Sequence, residues 1–197
     1  MKVNVALAQI NTRLGVVKDN LEKHLSLVRE AASGGADLLV FPELSLTGYV
    51  LQDLAPTVAC RPRSDDPVFK QLLVASKAID LVVGFVEEDA RNRFFISSAY
   101  LSQGEVLHVH RKVYLPTYGL FDEGRFFAWG ESVAAFNTRF GRVGMLICED
   151  FWHASPPYLL WVDGADLFLF SSSSPARGLG PKEVLISTQW VEDINRA

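Results

Sequence analysis

Three reactive side chains each come directly after a short apolar stretch that is typical of a β-strand. Glu43, Lys112 and Cys148 follow the stretches 37–41, 106–109 and 144–147, in that order. A cysteine thiolate is a nucleophile, a carboxylate can take its proton, and an ammonium group can stabilise the oxyanion that forms when a carbonyl is attacked. The three residues together therefore predict a catalytic site for attack on a carbonyl carbon.

Each of these residues also has an ordinary structural explanation. A free cysteine is commonly buried as a small apolar side chain, and Glu43 and Lys112 could form a simple ion pair. An acid directly after a buried strand is costly unless it is paired, by several kcal/mol. Because base, cation and thiol all occur at strand ends, the pattern favours catalysis by Cys148.

The N-terminal part of the chain has the pattern of a βαβ unit. Residues 1–10 alternate like a strand, and Asp19 with Glu22 predicts the start of a helix that ends at the glycines 34–35. The apolar stretch 37–41 predicts a buried parallel strand. Functional side chains in such sheets lie beyond the carboxyl ends of the strands, which is where Glu43 is expected.

The rest of the chain predicts a mixed sheet with further helices. The predicted elements are a long loop at 45–66, a helix from 66 to about 78, a strand at 81–86, a hairpin of 94–101 with 106–109, an aromatic loop at 111–130, a second hairpin of 132–137 with 142–147, a helix at 157–162, a strand at 166–170 and a helix from 181 onward. The aromatic loop is expected to cover a pocket or to form an oligomer interface.

Composition narrows the class of protein. The 197 residues predict one domain over 1–197, and the net charge of −4 offers no basic surface for nucleic acid and no polybasic membrane anchor. The two cysteines are far apart, so we expect no disulfide framework and no structural zinc site. Without a signal peptide pattern or a run of about 18 apolar residues, we predict no membrane association and a cytoplasmic location.

Three ordered motifs carry a resemblance to a known family. The stretches 41–49 (FPELSLTGY), 111–112 (RK) and 146–150 (LICED) resemble the signature segments of the nitrilase, or carbon-nitrogen hydrolase, superfamily. The resemblance implies an αββα sandwich, an α/β fold with mixed sheets and helices on the outer faces, in which Glu43, Lys112 and Cys148 form the catalytic triad. Family members typically continue with further strands, so we expect part of the C-terminal sandwich to be missing.

Two more stretches point to one branch of this superfamily. The stretches 118–127 and 148–152 resemble the glutaminase domains of glutamine-dependent NAD synthetases. The resemblance implies that Glu123 helps to position the lysine and the substrate. It also implies four residues in contact with the substrate, which are Tyr49, Tyr118, Phe121 and Ser174.

The predicted reaction is hydrolysis of an amide through a cysteinyl thioester, with release of ammonia and with a glutamine-type amide favoured. A stand-alone ω-amidase or an N-carbamoyl hydrolase would use the same three residues. An alternative of another class is a binding or interaction module that keeps the fold without turnover. The resemblance also implies a homo-oligomer, with an ammonia-accepting synthetase as a further partner of the small amide substrate.

We expect neither a metal nor another cofactor. His108 and His110 share one face of a strand, but no third ligand is spaced with them, so solvated or hydrogen-bonded histidines are the favoured interpretation. Neither GxGxxG nor GxxxxGK[ST] occurs in the sequence. An ATP-using step is therefore not expected in this chain.

Overall fold

The computed structural model describes residues 2–174, which form two β-sheets and five α-helices. The strands are β1 (Val5–Leu7), β2 (Leu38–Val40), β3 (Asp80–Glu88), β4 (Phe94–Ser102), β5 (Glu105–Arg111), β6 (Phe136–Thr138), β7 (Gly141–Ile147) and β8 (Leu167–Ser171). The helices are α1 (Val17–Ser33), α2 (Ala55–Val58), α3 (Pro67–Ala75), α4 (Glu123–Phe126) and α5 (Ser155–Val162), and 3₁₀ turns cover Gln52–Leu54 and Cys148–Trp152.

Both sheets are mixed, as predicted. The larger sheet has the order β1-β2-β3-β4-β5, with β1, β2 and β3 parallel and the two following pairs antiparallel. The smaller sheet has the order β6-β7-β8, in which β7 pairs antiparallel with β6 and parallel with β8. Since β3 is antiparallel to β4 and β4 to β5, strands β2 and β5 run in the same direction. Their carboxyl ends therefore lie at the same edge of the larger sheet.

The apolar clusters show how the layers are stacked. One cluster joins α1 and α3 to the outer face of the larger sheet, for example through Val28, Leu72 and Leu81. A second cluster lies between the sheets, where β2, β3 and β4 meet β7 and β8. A third packs Leu160 of α5 against Leu146 of β7. This order of helix, sheet, sheet and helix confirms the predicted αββα sandwich. No helix within residues 2–174 is long and apolar enough to cross a membrane.

The start of α1 differs from the prediction. The helix begins at Val17 and not at Asp19, and its N-cap residue provides no side-chain hydrogen bond. The Asp19 carboxylate pairs with Arg13 instead of capping the helix. The amide of Asn20 bonds both the N–H and the C=O of Arg13 at 2.8 Å. The preceding loop is thus fastened to the helix by tertiary contacts that a local pattern does not show.

Several other predicted boundaries also need correction. The loop predicted at 45–66 contains a 3₁₀ turn and α2, and α3 ends at Ala75 and not near 78. The aromatic loop contains α4, and the strand predicted at 132–137 is the shorter β6, which covers 136–138. Asp66 caps α3 as predicted, because its carboxylate accepts from the N–H groups of Val68 and Phe69 at 2.9 and 3.1 Å. The helix predicted from 181 lies outside the described residues.

Gly84 of β3 allows the segment that carries Glu43 to cross the sheet. A Cβ atom at this position would lie 2.3 Å from the Pro42 carbonyl oxygen and 2.6 Å from the Leu44 nitrogen. The Ser45 hydroxyl then fastens the segment, since it donates to the Gly84 carbonyl at 3.2 Å and accepts from the Gly84 N–H at 3.3 Å. The position of Glu43 therefore depends on a residue without a side chain in β3.

The substitution Gly84→Ala is expected to lower the free energy of unfolding by about 1–3 kcal/mol, because the new methyl group overpacks a rigid backbone crossing. Urea denaturation measures this change. Gly34→Ala is the matched control, since its Cβ would lie at an ordinary 3.5 Å from its nearest neighbours. Equal stability of the two variants would show that the crossing tolerates a side chain.

Candidate active site

Lys112 lies at the centre of a buried cluster of charges. Its Nζ atom donates to Glu43 Oε1 at 2.7 Å and to Glu123 Oε1 at 2.8 Å. The lysine side chain is fully buried, and those of the two acids are 0% and 5% exposed. Burial alone lowers the pKa of Lys112, but the charge of Glu43 and the other acidic groups raises it above its ordinary value. Lysine is almost never fully buried without such partners, and here it is held as an ammonium group.

Backbone contacts fix the positions of Lys112 and Glu43. The strand ladder continues past β5, because the Lys112 N–H donates to the Ile96 carbonyl and the Lys112 carbonyl accepts from Gly130, both at 2.8 Å. The second carboxylate oxygen of Glu43 accepts from the Ser173 N–H at 3.1 Å. Both oxygens of Glu43 are therefore bonded, one to the lysine and one to the segment after β8.

Glu123 completes the cluster from the first position of α4. Its Oε1 atom also accepts from the Tyr49 hydroxyl, whereas its Oε2 atom is buried without a hydrogen-bond partner among residues 2–174. Burial raises the pKa of Glu123 to about 7, with Lys112 opposing the shift and Glu43 adding to it. This carboxyl group can thus hold a proton close to neutral pH.

Glu123 should make stability depend on pH with a defined sign. Its pKa in the folded chain, about 7, lies above the ordinary value of 4.5, so its contribution is fully present below about pH 4.5 and is lost as the pH rises through about 7. The shift corresponds to about 3 kcal/mol. The difference in unfolding free energy between wild type and Glu123→Gln should therefore fall by that amount between pH 4 and pH 8. A pH-independent difference from urea titrations would contradict this assignment.

Cys148 occupies the sharp turn at the end of β7. Its φ of +45° lies in the left-handed region, which costs a residue with a side chain about 1–2 kcal/mol. The residue starts the 3₁₀ turn, is only 6% exposed, and packs in a cluster with Leu44 and Ile147. Backbone strain of this kind is concentrated at functional sites, and it turns the thiol away from the line of the strand.

The surroundings keep the Cys148 thiol protonated in the resting state. Burial raises its pKa to about 12, the charge of Glu43 adds to the shift, and Lys112 and a hydrogen bond with Ser172 oppose it. The Lys112 ammonium group lowers the pKa of the thiol less than burial and Glu43 raise it, so a base must remove the proton as the thiol reacts.

The structure places the four predicted substrate-contacting residues around this cluster. Phe121 makes edge contacts with Tyr49 and Tyr118, at 6.1 and 5.7 Å between ring centroids. The Ser174 hydroxyl lies 2.7 Å from that of Ser172, which bonds the thiol of Cys148. Their contact with a substrate stays a prediction.

Two more residues at the thiol did not stand out in the sequence. Glu149, next to Cys148, accepts from the Tyr118 hydroxyl at 2.9 and 3.0 Å through its two oxygens. Ser172 lies in the serine run 171–174, and that run was the available signal. For Glu149 the only signal in the sequence was its position next to Cys148, because the loop that carries Tyr118 is distant in sequence.

The histidines of β5 form hydrogen-bonded and stacked contacts. His110 lies 2.8 Å from an oxygen of Asp150, and His108 stacks on Phe136 with 4.3 Å between ring centroids. Within residues 2–174, no group of three or more His, Cys, Asp or Glu side chains is placed to hold a metal ion.

The site combines a protonated thiol, a carboxylate bonded to an ammonium group, and a second carboxyl group that titrates near neutral pH. A thiol with a nearby base can attack an acyl carbon, and a buried cation can stabilise the negative charge that develops on the acyl oxygen. The arrangement therefore fits acyl transfer to sulfur.

Comparisons with known proteins agree with this chemistry. The family model described as carbon-nitrogen hydrolase matches residues 4–190. A glutamine-dependent NAD(+) synthetase from Thermotoga maritima is 36% identical over 180 residues, which are 88% of this chain and 30% of that protein.

Two solved structures have a similar fold. Glutamine-dependent NAD+ synthetase from Acinetobacter baumannii is 33% identical with a TM-score of 0.77, and the match covers 89% of this chain and 33% of that one. A nitrilase-superfamily member from Saccharomyces cerevisiae is 23% identical with a TM-score of 0.78, over 87% of this chain and 65% of that one. The chain spans about a third of the length of the NAD synthetases that it matches.

Proposed function

Because this chain belongs to the carbon-nitrogen hydrolase family, as its motifs predicted, we propose that it hydrolyses the amide bond of a small substrate through a thioester on Cys148. The observation that carries the proposal is the buried cluster in which Lys112 bonds Glu43 and Glu123, because this ammonium group would stabilise a negative charge that forms on Cys148. A binding module would have no need to bury this costly set of groups.

In the proposed first half-reaction, Cys148 is the nucleophile and Glu43 the base. Glu43 takes the Sγ proton as the sulfur bonds to the amide carbon, and the carbonyl oxygen becomes an oxyanion. The Lys112 ammonium and a backbone N–H after Cys148 stabilise that oxyanion. The C–N bond then breaks, Glu43 returns the proton to the leaving nitrogen, ammonia departs and a thioester remains.

In the second half-reaction, water hydrolyses the thioester. Glu43 removes a proton from the water, the oxygen bonds to the acyl carbon, the C–S bond breaks and the proton returns to the sulfur. Glu123 has the proposed role of holding Lys112 in place, because its Oε1 atom bonds both the lysine and Tyr49. Its Oε2 atom, which is buried without a partner among residues 2–174, has the proposed role of accepting a hydrogen bond from the substrate.

A glutamine-type amide is the favoured substrate. Glu149, the residue after Cys148, adds a carboxylate that is bonded by the Tyr118 hydroxyl, and this carboxylate would attract the α-ammonium group of an amino acid. The similarity to proteins named glutamine-dependent NAD synthetases supports the same choice. The proposed pocket wall is formed by Tyr49, Tyr118, Phe121 and Ser174.

Ammonia release from a panel of amides tests the proposal in the full-length protein. We expect the highest kcat/KM for glutamine. The value should be lower for 5-amino-5-oxopentanoate, the compound that corresponds to glutamine without its α-ammonium group. A preference for the latter amide would indicate the ω-amidase alternative, and turnover of N-carbamoyl amino acids the carbamoyl alternative. Release from none of them would contradict the enzymatic proposal and favour a non-catalytic module.

The proposal includes a partner that uses the ammonia. The relatives are named as synthetases and are about three times longer than this chain, so a synthetase that consumes ammonia is the proposed acceptor. We also propose a homo-oligomer and a cytoplasmic location, where a reducing environment keeps a reactive thiol free.

A further inference from the structure

Asp150 is a buried carboxylate that joins two segments of the site. Its side chain is fully buried, its Oδ1 atom accepts from the N–H groups of Val113 and Tyr114, both at 2.9 Å, and its Oδ2 atom accepts from the Ile147 N–H at 3.1 Å. His110 Nε2 lies 2.8 Å from the same Oδ2. One side chain therefore carries four hydrogen bonds from two distant parts of the chain.

The positions of these donors relate Asp150 to two of the reactive residues. Ile147 directly precedes Cys148, and Val113 directly follows Lys112. The Asp150 carboxylate thus bonds the backbone on one side of the thiol and the backbone on one side of the ammonium group. His110 adds a contact from β5 itself, two residues before Lys112.

Burial strengthens the hydrogen bonds by which Asp150 connects the two backbone segments. Hydrogen bonds to an ionised carboxylate are shorter and stronger than those between neutral groups, and a buried donor that loses its acceptor pays a desolvation penalty. Since Oδ2 accepts from a backbone N–H, the hydrogen-bond pattern assigns Nε2 of His110 as a further donor. The Ile147 contact also fixes the entry to the turn in which Cys148 has its unfavourable φ of +45°.

We propose that Asp150 and His110 are positioning residues that set the distance between the Cys148 thiol and the Lys112 ammonium group. This inference rests on the proposed amide hydrolysis. Asp150 acts through backbone groups and through His110. Its role is to keep the thiol where the oxyanion formed on attack meets the lysine.

The substitution Asp150→Asn keeps the shape of the side chain but replaces one acceptor oxygen with an NH₂ group, which cannot accept from backbone N–H groups. In the full-length protein we expect kcat to fall about 10–100-fold, since small misplacements of reacting groups cost up to about 10²-fold. KM for glutamine should change much less, because Asp150 does not line the proposed pocket. The rate at which iodoacetamide alkylates Cys148, followed by peptide mass spectrometry, should change as well.

Asp80→Asn is the matched control. Asp80 is also a buried carboxylate with several hydrogen bonds, to the hydroxyls of Tyr100 and Ser102 at 2.7 and 2.8 Å and to Arg139 at 3.3 Å. Its loss should lower the melting temperature while kcat and the alkylation rate of Cys148 stay near those of wild type. An equal loss of kcat in both variants, or an unchanged kcat in Asp150→Asn, would overturn the inference.

A second pair of variants decides the matter if Asp150→Asn does not fold. His110→Gln retains an N–H donor for the carboxylate and His110→Phe does not, so the glutamine variant should recover most of the turnover that the phenylalanine variant loses. Equal activities of the two would overturn the inference. If wild type releases no ammonia, the proposed function fails, and the alkylation rates of Cys148 in the same variants still test the positioning role.

Discussion

Replacing Cys148 with alanine is expected to abolish ammonia release, with a loss in kcat of at least about 10⁴-fold, because the removal of a covalent nucleophile leaves only binding and oxyanion stabilisation. The thiol is buried, alanine fills most of its space, and alanine keeps the same Cβ atom, so the backbone strain at φ +45° does not change. The fold should therefore persist. Coupled detection of ammonia gives the turnover, and circular dichroism with thermal unfolding reports the fold.

Cys60→Ala provides the control for this prediction. Cys60 is also buried, burial raises its pKa to about 12, and its thiol contacts the Val58 carbonyl rather than the charged cluster. This variant should keep wild-type turnover. Full activity in Cys148→Ala would end the thioester mechanism, whatever the Cys60 variant did.

The second large effect is expected for Glu43→Gln. The amide has nearly the shape of the acid and can still accept from Lys112, but it cannot take a proton from a thiol whose pKa is about 12. General-base catalysis contributes about 10²–10⁴-fold, and Glu43 is proposed to act in both half-reactions, so we expect kcat to fall about 10³-fold or more. Steady-state ammonia release at saturating glutamine measures the loss.

Glu87→Gln controls for the removal of a buried acid. Glu87 is 5% exposed and is bonded by Arg111 and by the Ser97 hydroxyl, so its loss should affect stability more than turnover. If both variants lost activity alike, the effect of Glu43→Gln would reflect a general loss of buried charge. The role of Glu43 as the base would then be contradicted.

The sequence predicted those features that depend on residues close together in the chain. Glu43, Lys112 and Cys148 each lie within three residues of the end of a strand. Strands β2 and β5 run in the same direction, so their carboxyl ends lie at one edge of the larger sheet. The order of strands and helices predicted the mixed sheets. Asp66 before Pro67 predicted the cap of α3, because both signals act within a few residues.

The features that escaped prediction depend on side-chain contacts that a local residue pattern does not show. The start of α1 is set by contacts with Arg13, and the crossing at Gly84 depends on a segment about forty residues earlier. The Asp150 hydrogen bonds likewise span 36 to 40 positions on the side of Lys112. A single sequence shows the residue types at such sites but not which of them meet.

The protonation states of Cys148 and Glu123 could not be predicted from the sequence either. A pattern of residue types places a lysine near a cysteine, but it does not show that burial and Glu43 outweigh that lysine in setting the pKa of the thiol. Nor does it show that burial brings the pKa of Glu123 to about 7. The raised pKa of Cys148 assigns the proton in the resting site to the sulfur, and this assignment is why the proposed mechanism includes a base.

The most direct test of the central claim is covalent labelling of the thiol with a glutamine analogue that carries a chloroketone in place of the amide. Peptide mass spectrometry should find one label per chain, on Cys148 and not on Cys60, with turnover lost in proportion to labelling and with glutamine slowing both. Undiminished turnover in protein fully labelled at Cys148, or inactivation that follows labelling of Cys60, would contradict the account.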